Sequence, residues 1–326
     1  MSPDEQRAAK RQIVEHALRG PVRALEVPVP GGAGYRDRAR LAVGAGGEVG
    51  FRHRGARSIV DVDACLLLAP AAAAALTAIR ALASRWPAGT EIDLLAGNDG
   101  AHVAVRCDVA PGMTAAEILA AGRSAGITGV LVASAAGRAV DEAGRPDVDV
   151  AEPGGPSLRV PAHGFAQVGR EANTALVRAM LEAIGAEPGA VLELYAGSGN
   201  FTRHLVRRSQ RVLAFDGDAA AVERGRRNVP AATWTRHPPR PLPFVPDTVV
   251  ADPPRAGLDD EHRRVASTAR RRIVYISCDP QTLARDAALL ARAGFALRDL
   301  VAFDLMPHTF HTEALATFER LDPPSG

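Results

Sequence analysis

The chain has 326 residues, 47% hydrophobic and 23% charged, with a net charge of only +2. That balance describes a globular protein of one large or two ordinary domains, and excludes a disordered chain or one that is basic throughout. No run approaches the roughly 18 apolar residues of a membrane span, no apolar signal core opens the chain, and three scattered cysteines (Cys65, Cys107, Cys278) exclude a disulfide framework.

We therefore expect a cytoplasmic monomer that meets no membrane. No CxxC pair suggests zinc. Lys10 is the only lysine, and the arginine excess has the pattern of a coding bias.

Residues 4–18 read as a helix ending near Gly20-Pro21, an N-terminal arm over 1–30. Residues 31–155 mix short strands and helices. "YRDRARLAV" and "GEVGFRH" pair through "GAGG", "APAAAAALTAIRALASRW" is helical, and "EIDLLAG" and "AHVAVRCDV" flank the turn "NDG". "TAAEILAAGRSAG" is a further helix and "GVLVASAAGRAV" a further hairpin. Arg36, Arg38 and Arg40 recur at period two, and Arg52 and Arg54 stand on the next strand. Period two puts alternate side chains on one face, and an arginine-lined face suits a phosphate backbone. An ordinary solvated strand face has the same pattern. The Gly, Pro and Asp density of "DEAGRPDVDVAEPGGPSL" marks a loop or boundary.

Residues 156–326 change rhythm. Short apolar runs ("AVLELYAG", "RVLAFDGD", "DTVVADPP", "RIVYISCDP") alternate with helices, ending in "LRDLVAFDLMP" and "TEALATFERL". That alternation predicts βαβ units and a mostly parallel sheet covered on both faces. The fold class is α/β, with a smaller N-terminal α+β domain.

In such sheets ligands bind beyond the carboxyl ends of the strands. In "ELYAGSGNF", Gly197 and Gly199 form G-x-G between a strand and a helix, with Glu193 before them and Asp216 at the next strand end. The pattern favours S-adenosylmethionine, with a nicotinamide dinucleotide second and a plain tight turn as the bland alternative. Asp252 ends another strand in "VVADPPRAGL", either presented to a planar base or acting as a turn residue. Cys278 sits at the tip of "IVYIS", open to three readings: core packing, metal ligation or nucleophile. A helix starting near Gln281 points its positive end toward the thiol, which favours thiolate. Glu313 follows His308 and His311 without the spacing of a standard zinc site, and a carboxylate suits a general base.

Together these turns resemble the bacterial RNA (uracil-5-)-methyltransferases, which make 5-methyluridine in tRNA and 23S rRNA. The matching pieces are "GFAQVG", "VLELYAGSGNFT", "FDGDAAAVERGRRN", "VVADPPRAGL", "IVYISCDPQTLARD" and "MPHTFHTE", in the family's order. "GYRDRARLAVG" and "GFRHRGARSIVDVDAC" extend the likeness to the N-terminal part. The resemblance implies a Rossmann-like class I methyltransferase domain, S-adenosylmethionine as cofactor and RNA as partner. By position it makes Cys278 the nucleophile and Glu313 the general base. It sets Gln167, Tyr195, Gly197, Gly199, Asn200, Asp216 and Asp252 around the cofactor. It leaves two other readings to compare: methylation of another nucleic-acid base, or a non-catalytic RNA-binding factor with the same fold.

Some members carry an N-terminal OB-like domain or a four-cysteine iron–sulfur site. Neither is expected here, because the chain starts too late for the first and only Cys65 suits the second. Gly169 and Asp279 stand where many members have Asn, and Ala196 where many have Cys.

Overall fold

The computed structural model describes residues 1–53, 55, 58–107, 112–150, 156–238 and 240–321. Two compact units emerge: Met1–Gly32 with Glu171–Gly326, and Ala33–Arg170. The N-terminal arm therefore belongs to the same unit as the C-terminal half, and residues 156–170 go with the α+β segment.

The chain opens with α1 (Pro3–Leu18) and β1 (Ala24–Glu26). A capping box starts α1: Ser2 Oγ accepts the Glu5 N–H, and Glu5 accepts the Ser2 N–H. The α+β unit then runs β2 (Arg38–Val43), β3 (Val49–Arg52), β4 (Ile59–Asp61), α2 (Pro70–Ala81), β5 (Glu91–Gly97), β6 (Gly100–Cys107), α3 (Ala115–Gly122), β7 (Ile127–Ser134), β8 (Ala139–Gly144), β9 (Val148–Val150) and β10 (Leu158–Val160). Its sheet has the order β4-β3-β2-β5-β6-β7-β8. Every pair is antiparallel except β6 with β7, which are joined through α3. Alternation sends Leu41, Val43, Ile92 and Leu94 to one face, where they pack on Leu76 and Ile79 of α2 and Ile118 of α3. The stretch read as a loop or boundary contains β9 and ends where β10 begins; Val148, Leu158 and Val160 of these strands cover Leu95 and Ala104 on the opposite face.

The other unit continues with α4 (Arg170–Ile184), β11 (Ala190–Leu194), α5 (Thr202–Leu205), β12 (Arg211–Phe215), α6 (Ala219–Asn228), β13 (Thr233–Thr235), β14 (Thr248–Ala251), α7 (Asp260–Ala266), β15 (Arg272–Ser277), α8 (Pro280–Arg292), β16 (Phe295–Phe303) and β17 (Glu313–Arg320). The sheet order is β1-β16-β17-β15-β14-β11-β12-β13. Strands β11 to β15 are parallel, and β17 runs antiparallel between β15 and β16. This is the Rossmann-like class I arrangement. After β11 the chain moves outward to β12 and β13, then returns to β14 on the other side. The carboxyl ends of β11 and β14 therefore flank the switch point, where open α/β sheets hold ligands. Residues of β14 are buried throughout, as a run covered on both faces must be. Val14 of α1 joins Leu192, Val249, Ile273, Leu283 and Phe318 in one core. Among the described residues no helix is long and apolar enough to cross a membrane.

Candidate active site

The two glycines after β11 have different jobs. Gly197 has φ +57, and a Cβ added there would meet nothing within 4 Å. Its left-handed backbone favours glycine and leaves open space beside the strand end. Gly199 also has positive φ, but its Cβ would lie 3.0 Å from Val229 and 3.5 Å from Trp234. It lets the turn close on the α6 side. Asp216 holds this turn: Oδ2 accepts the Gly197 N–H at 2.8 Å, and Oδ1 accepts the Asp218 N–H at 2.9 Å. Lone pairs remain on both oxygens for a ribose.

Tyr195, also at positive φ (61°), is half-buried in a cluster with the rings of Phe215 and His262, at 6.2 and 4.9 Å. Asn200 exchanges amide hydrogen bonds with Asn173 at 3.0 and 2.6 Å. Its amide thus holds the loop to α4. Glu193 is fully buried and accepts the Thr202 hydroxyl at 2.6 Å. Burial lifts its pKa to about 8, and Asp252 and Asp216 push the same way. That coupling brings the acids of β11, β12 and β14 together.

The turn after β14 is fastened to α8. Asp286 is buried, and its Oδ2 accepts both the Leu258 N–H at 2.8 Å and the Tyr275 hydroxyl at 2.7 Å. Thr282 donates to the Arg255 carbonyl at 3.0 Å, and Arg285 to the Ala256 carbonyl at 2.8 Å. A Cβ on Gly257 would collide with Asp286 and Thr282. The segment "PPRAGL" and the tail of "CDPQTLARD" are thus one interlocked piece.

Cys278 lies between β15 and α8, partly exposed. Burial pushes its thiol up, the Glu313 carboxylate pushes it further, and Arg255 pulls it down. The start of α8 does not tip the balance toward thiolate, as the sequence suggested. Asp279 caps α8, accepting the Thr282 N–H at 2.9 Å, so the helix start is already met by a carboxylate. Burial and Glu313 together favour the thiol over the thiolate. Glu313, at the first position of β17, is buried, and burial together with Asp252 raises its pKa well above the carboxylate range against the pull of Arg255. Cys278, Glu313, Asp252 and Arg255 thus sense one another. Arg255 also bonds His311 Nδ1 at 2.9 Å, and Phe310 packs at a tilt against the His311 ring, centroids 4.3 Å apart. Among the described residues no three His, Cys, Asp or Glu side chains gather as a metal site.

The tRNA (uracil-5-)-methyltransferase family model matches residues 243–320, from before β14 to the end of β17. A 23S rRNA (uracil(1939)-C(5))-methyltransferase of Alkalilimnicola ehrlichii is 34% identical over 98% of this chain and 79% of its own. The chain belongs to the RNA uracil-C5 methyltransferase family. A Klebsiella pneumoniae member with the same name is 31% identical over 97% of this chain and 76% of its own. The fold is also that of the Pyrococcus abyssi tRNA (uracil-54, C5)-methyltransferase solved with S-adenosyl-L-homocysteine. That match has a TM-score of 0.82 and 24% identity, and covers 98% of this chain and 84% of the other.

Other expected residues of this uracil-C5 methyltransferase lie in the α+β unit. Gln167 stands on the loop between β10 and α4, partly buried. Gly169 on the same loop is a packing requirement, because a Cβ there would fall on the Tyr35 carbonyl. Of the period-two arginines, Arg40 and Arg52 are exposed, each paired with a carboxylate. Arg40 meets Asp93 at 2.8 Å and Arg52 meets Glu91 at 3.0 Å. Arg106, not singled out by the sequence pattern, takes the second oxygen of buried Asp93 at 2.8 Å. Arg38 is half-buried, reaches the Ala166 carbonyl at 3.5 Å, and has its pKa lowered by burial. Arg36 has a buried Nε without a hydrogen-bond partner. Arg54 lies outside the described residues. Arg255 is the site residue that residue-type reasoning missed. Its place in "VVADPPRAGL", three residues after Asp252 at a strand end, is the signal the sequence offers.

Proposed function

We propose that this chain methylates C5 of a uridine in RNA, with 23S rRNA as the target, acting as a cytoplasmic monomer. One observation carries the reading: a thiol, Cys278, and a buried carboxylate, Glu313, share an environment with Asp252 and Arg255 beyond the sheet's carboxyl ends. The rRNA enzymes that resemble it along nearly the whole chain support rRNA over tRNA.

The glycine turn fits S-adenosylmethionine. Gly197 leaves open space at its Cβ position, and Asp216 stands at the next strand end with spare acceptor capacity. Tyr195, Gly197, Gly199, Asn200, Asp216 and Asp252 would form the cofactor's surroundings. The bound cofactor supplies an electrophilic methyl group.

Uracil C5 is a poor nucleophile until its ring is activated. Cys278 first loses its thiol proton to solvent; the thiolate then adds to C6, and the C5–C6 π pair shifts toward the C4 carbonyl as an enolate, which makes C5 nucleophilic. After methylation Glu313 takes the C5 proton. The C5–H pair then restores the C5–C6 double bond and releases the thiolate. A raised pKa makes Glu313 the stronger base for this step. The target base is unstacked to reach the site, as base-modifying enzymes require.

The test is incubation of the enzyme with labelled S-adenosylmethionine and RNA lacking 5-methyluridine. Wild type should label 23S rRNA at uridine C5, and Cys278→Ala should not. RNA carrying 5-fluorouridine should trap a protein adduct, because fluorine cannot leave as a proton. Full activity in Cys278→Ala sinks the covalent route. Label on another base favours a different methyltransferase, and RNA binding without any label favours a non-catalytic factor.

A further inference from the structure

Helix α1 lies outside every turn that carries chemistry, yet one of its faces grips the loop leading to Glu313. Lys10 is 3% exposed, and its ammonium meets Asp304 Oδ1 at 2.5 Å and the Met306 carbonyl at 3.0 Å. One turn earlier, Gln6 Oε1 accepts the His308 backbone N–H at 3.2 Å. The i, i+4 spacing puts both side chains on one face. Gly32 backs the same loop, since a Cβ there would lie 2.6 Å from His308 Nε2. His308 itself has φ +63. The loop so held, residues 304–312, joins β16 to β17, and Glu313 is the first residue of β17. A buried ammonium–carboxylate pair is an expensive way to gain stability, which a packed apolar pair supplies without the desolvation penalty.

We propose that Lys10, helped by Gln6, is a positioning residue for Glu313: helix α1 sets the 304–312 loop so that the carboxylate meets the C5 proton. This rests on Glu313 being the base of the reaction. Glu313 acts only after Cys278 has bonded to C6 and the methyl group is in place. A displaced Glu313 therefore leaves methylated RNA attached to Cys278. General damage to the fold instead lowers adduct and product together.

The experiment uses the full-length enzyme, S-adenosylmethionine and substrate RNA. It reads turnover and the fraction of enzyme in a denaturant-stable RNA adduct, with thermal unfolding as a control for folding. Lys10→Met should lower turnover by roughly tenfold to a hundredfold, as ångström-scale misplacement does. It should raise the adduct fraction toward that of Glu313→Gln. Lys10→Arg should restore part of the turnover. Gln6→Ala, at a partly exposed site, should act in the same direction more weakly, and it decides the matter if Lys10→Met does not fold. Turnover and adduct that fall together, or stay unchanged, in folded Lys10 and Gln6 variants overturn the positioning role. If Glu313→Gln itself gathers no adduct, the Glu313 assignment fails, and the positioning role goes with it. If Glu313→Gln gathers adduct and the α1 variants do not, only the positioning role fails.

Discussion

The Asp286 carboxylate on α8 accepts the Leu258 backbone N–H at 2.8 Å, tying the helix after Cys278 to the turn that carries Asp252 and Arg255. The same oxygen accepts the Tyr275 hydroxyl, and the other oxygen takes Arg285 Nε at 2.9 Å. Asp286→Ala strands two buried donors and should cost about 3–5 kcal/mol of stability. Chemical denaturation measures that. Single-turnover methylation at a temperature where the variant is folded should fall as well, because the Asp252 turn loses its anchor. A variant that keeps wild-type stability would show the network to be dispensable.

Arg255 lowers the pKa values of both Cys278 and Glu313, which are otherwise raised. Both groups act in their ionised forms, so activity should rise with pH through a limb above the ordinary carboxylate range. Arg255→Ala removes the downward pull and should move that limb of the kcat/KM profile to higher pH. An unmoved limb with reduced kcat would assign Arg255 to RNA contact alone.

Glu193 gives a stability prediction with a definite sign. Its folded pKa, about 8, lies above the ordinary 4.5. Between those values the folded carboxyl keeps a proton that the unfolded chain has released. Stability should therefore fall as pH rises from about 4.5 to about 8, then level off. Glu193→Gln keeps an acceptor for Thr202 and should flatten this slope. Thermal unfolding of both proteins across the window checks it, and parallel curves would refute it.

Arg40 and Arg52 separate two roles on one sheet face. Arg52 pairs with Glu91 in solvent, so Arg52→Ala should leave stability within about 0.5 kcal/mol. If Arg52 meets a phosphate, the same change should reduce the salt slope of RNA binding by roughly 0.7–0.9. Arg40→Ala also removes one of two cations from buried Asp93, and should lower stability as well as RNA affinity. Denaturation and salt-titrated RNA binding read the two effects separately.

Much of this molecule was legible in its sequence. Fully buried strands such as β14 read as unbroken apolar runs, and the residues just after them mark the ligand side of the sheet, because strand ends in a parallel sheet face one way. Cys278, Gly197, Asp216 and Asp252 were accessible by that logic alone. The short edge strands Ala24–Glu26 and Thr233–Thr235 were not, because three residues carry no periodicity and pair only when a finished sheet edge offers partners. Helix α1 read as a helical arm, and nothing local pointed its lysine at Asp304.

The tertiary structure decided the electrostatics. Asp279 occupies the helix end that was expected to favour the Cys278 thiolate, while burial and Glu313 push the thiol up. Asn200 is held by Asn173. The sequence by itself determined which side chains stand at the turns, since local periodicity dictates strand and helix. Only folding decided how Glu313 and burial weigh on the thiol, because burial and proximity depend on contacts between residues far apart in the chain.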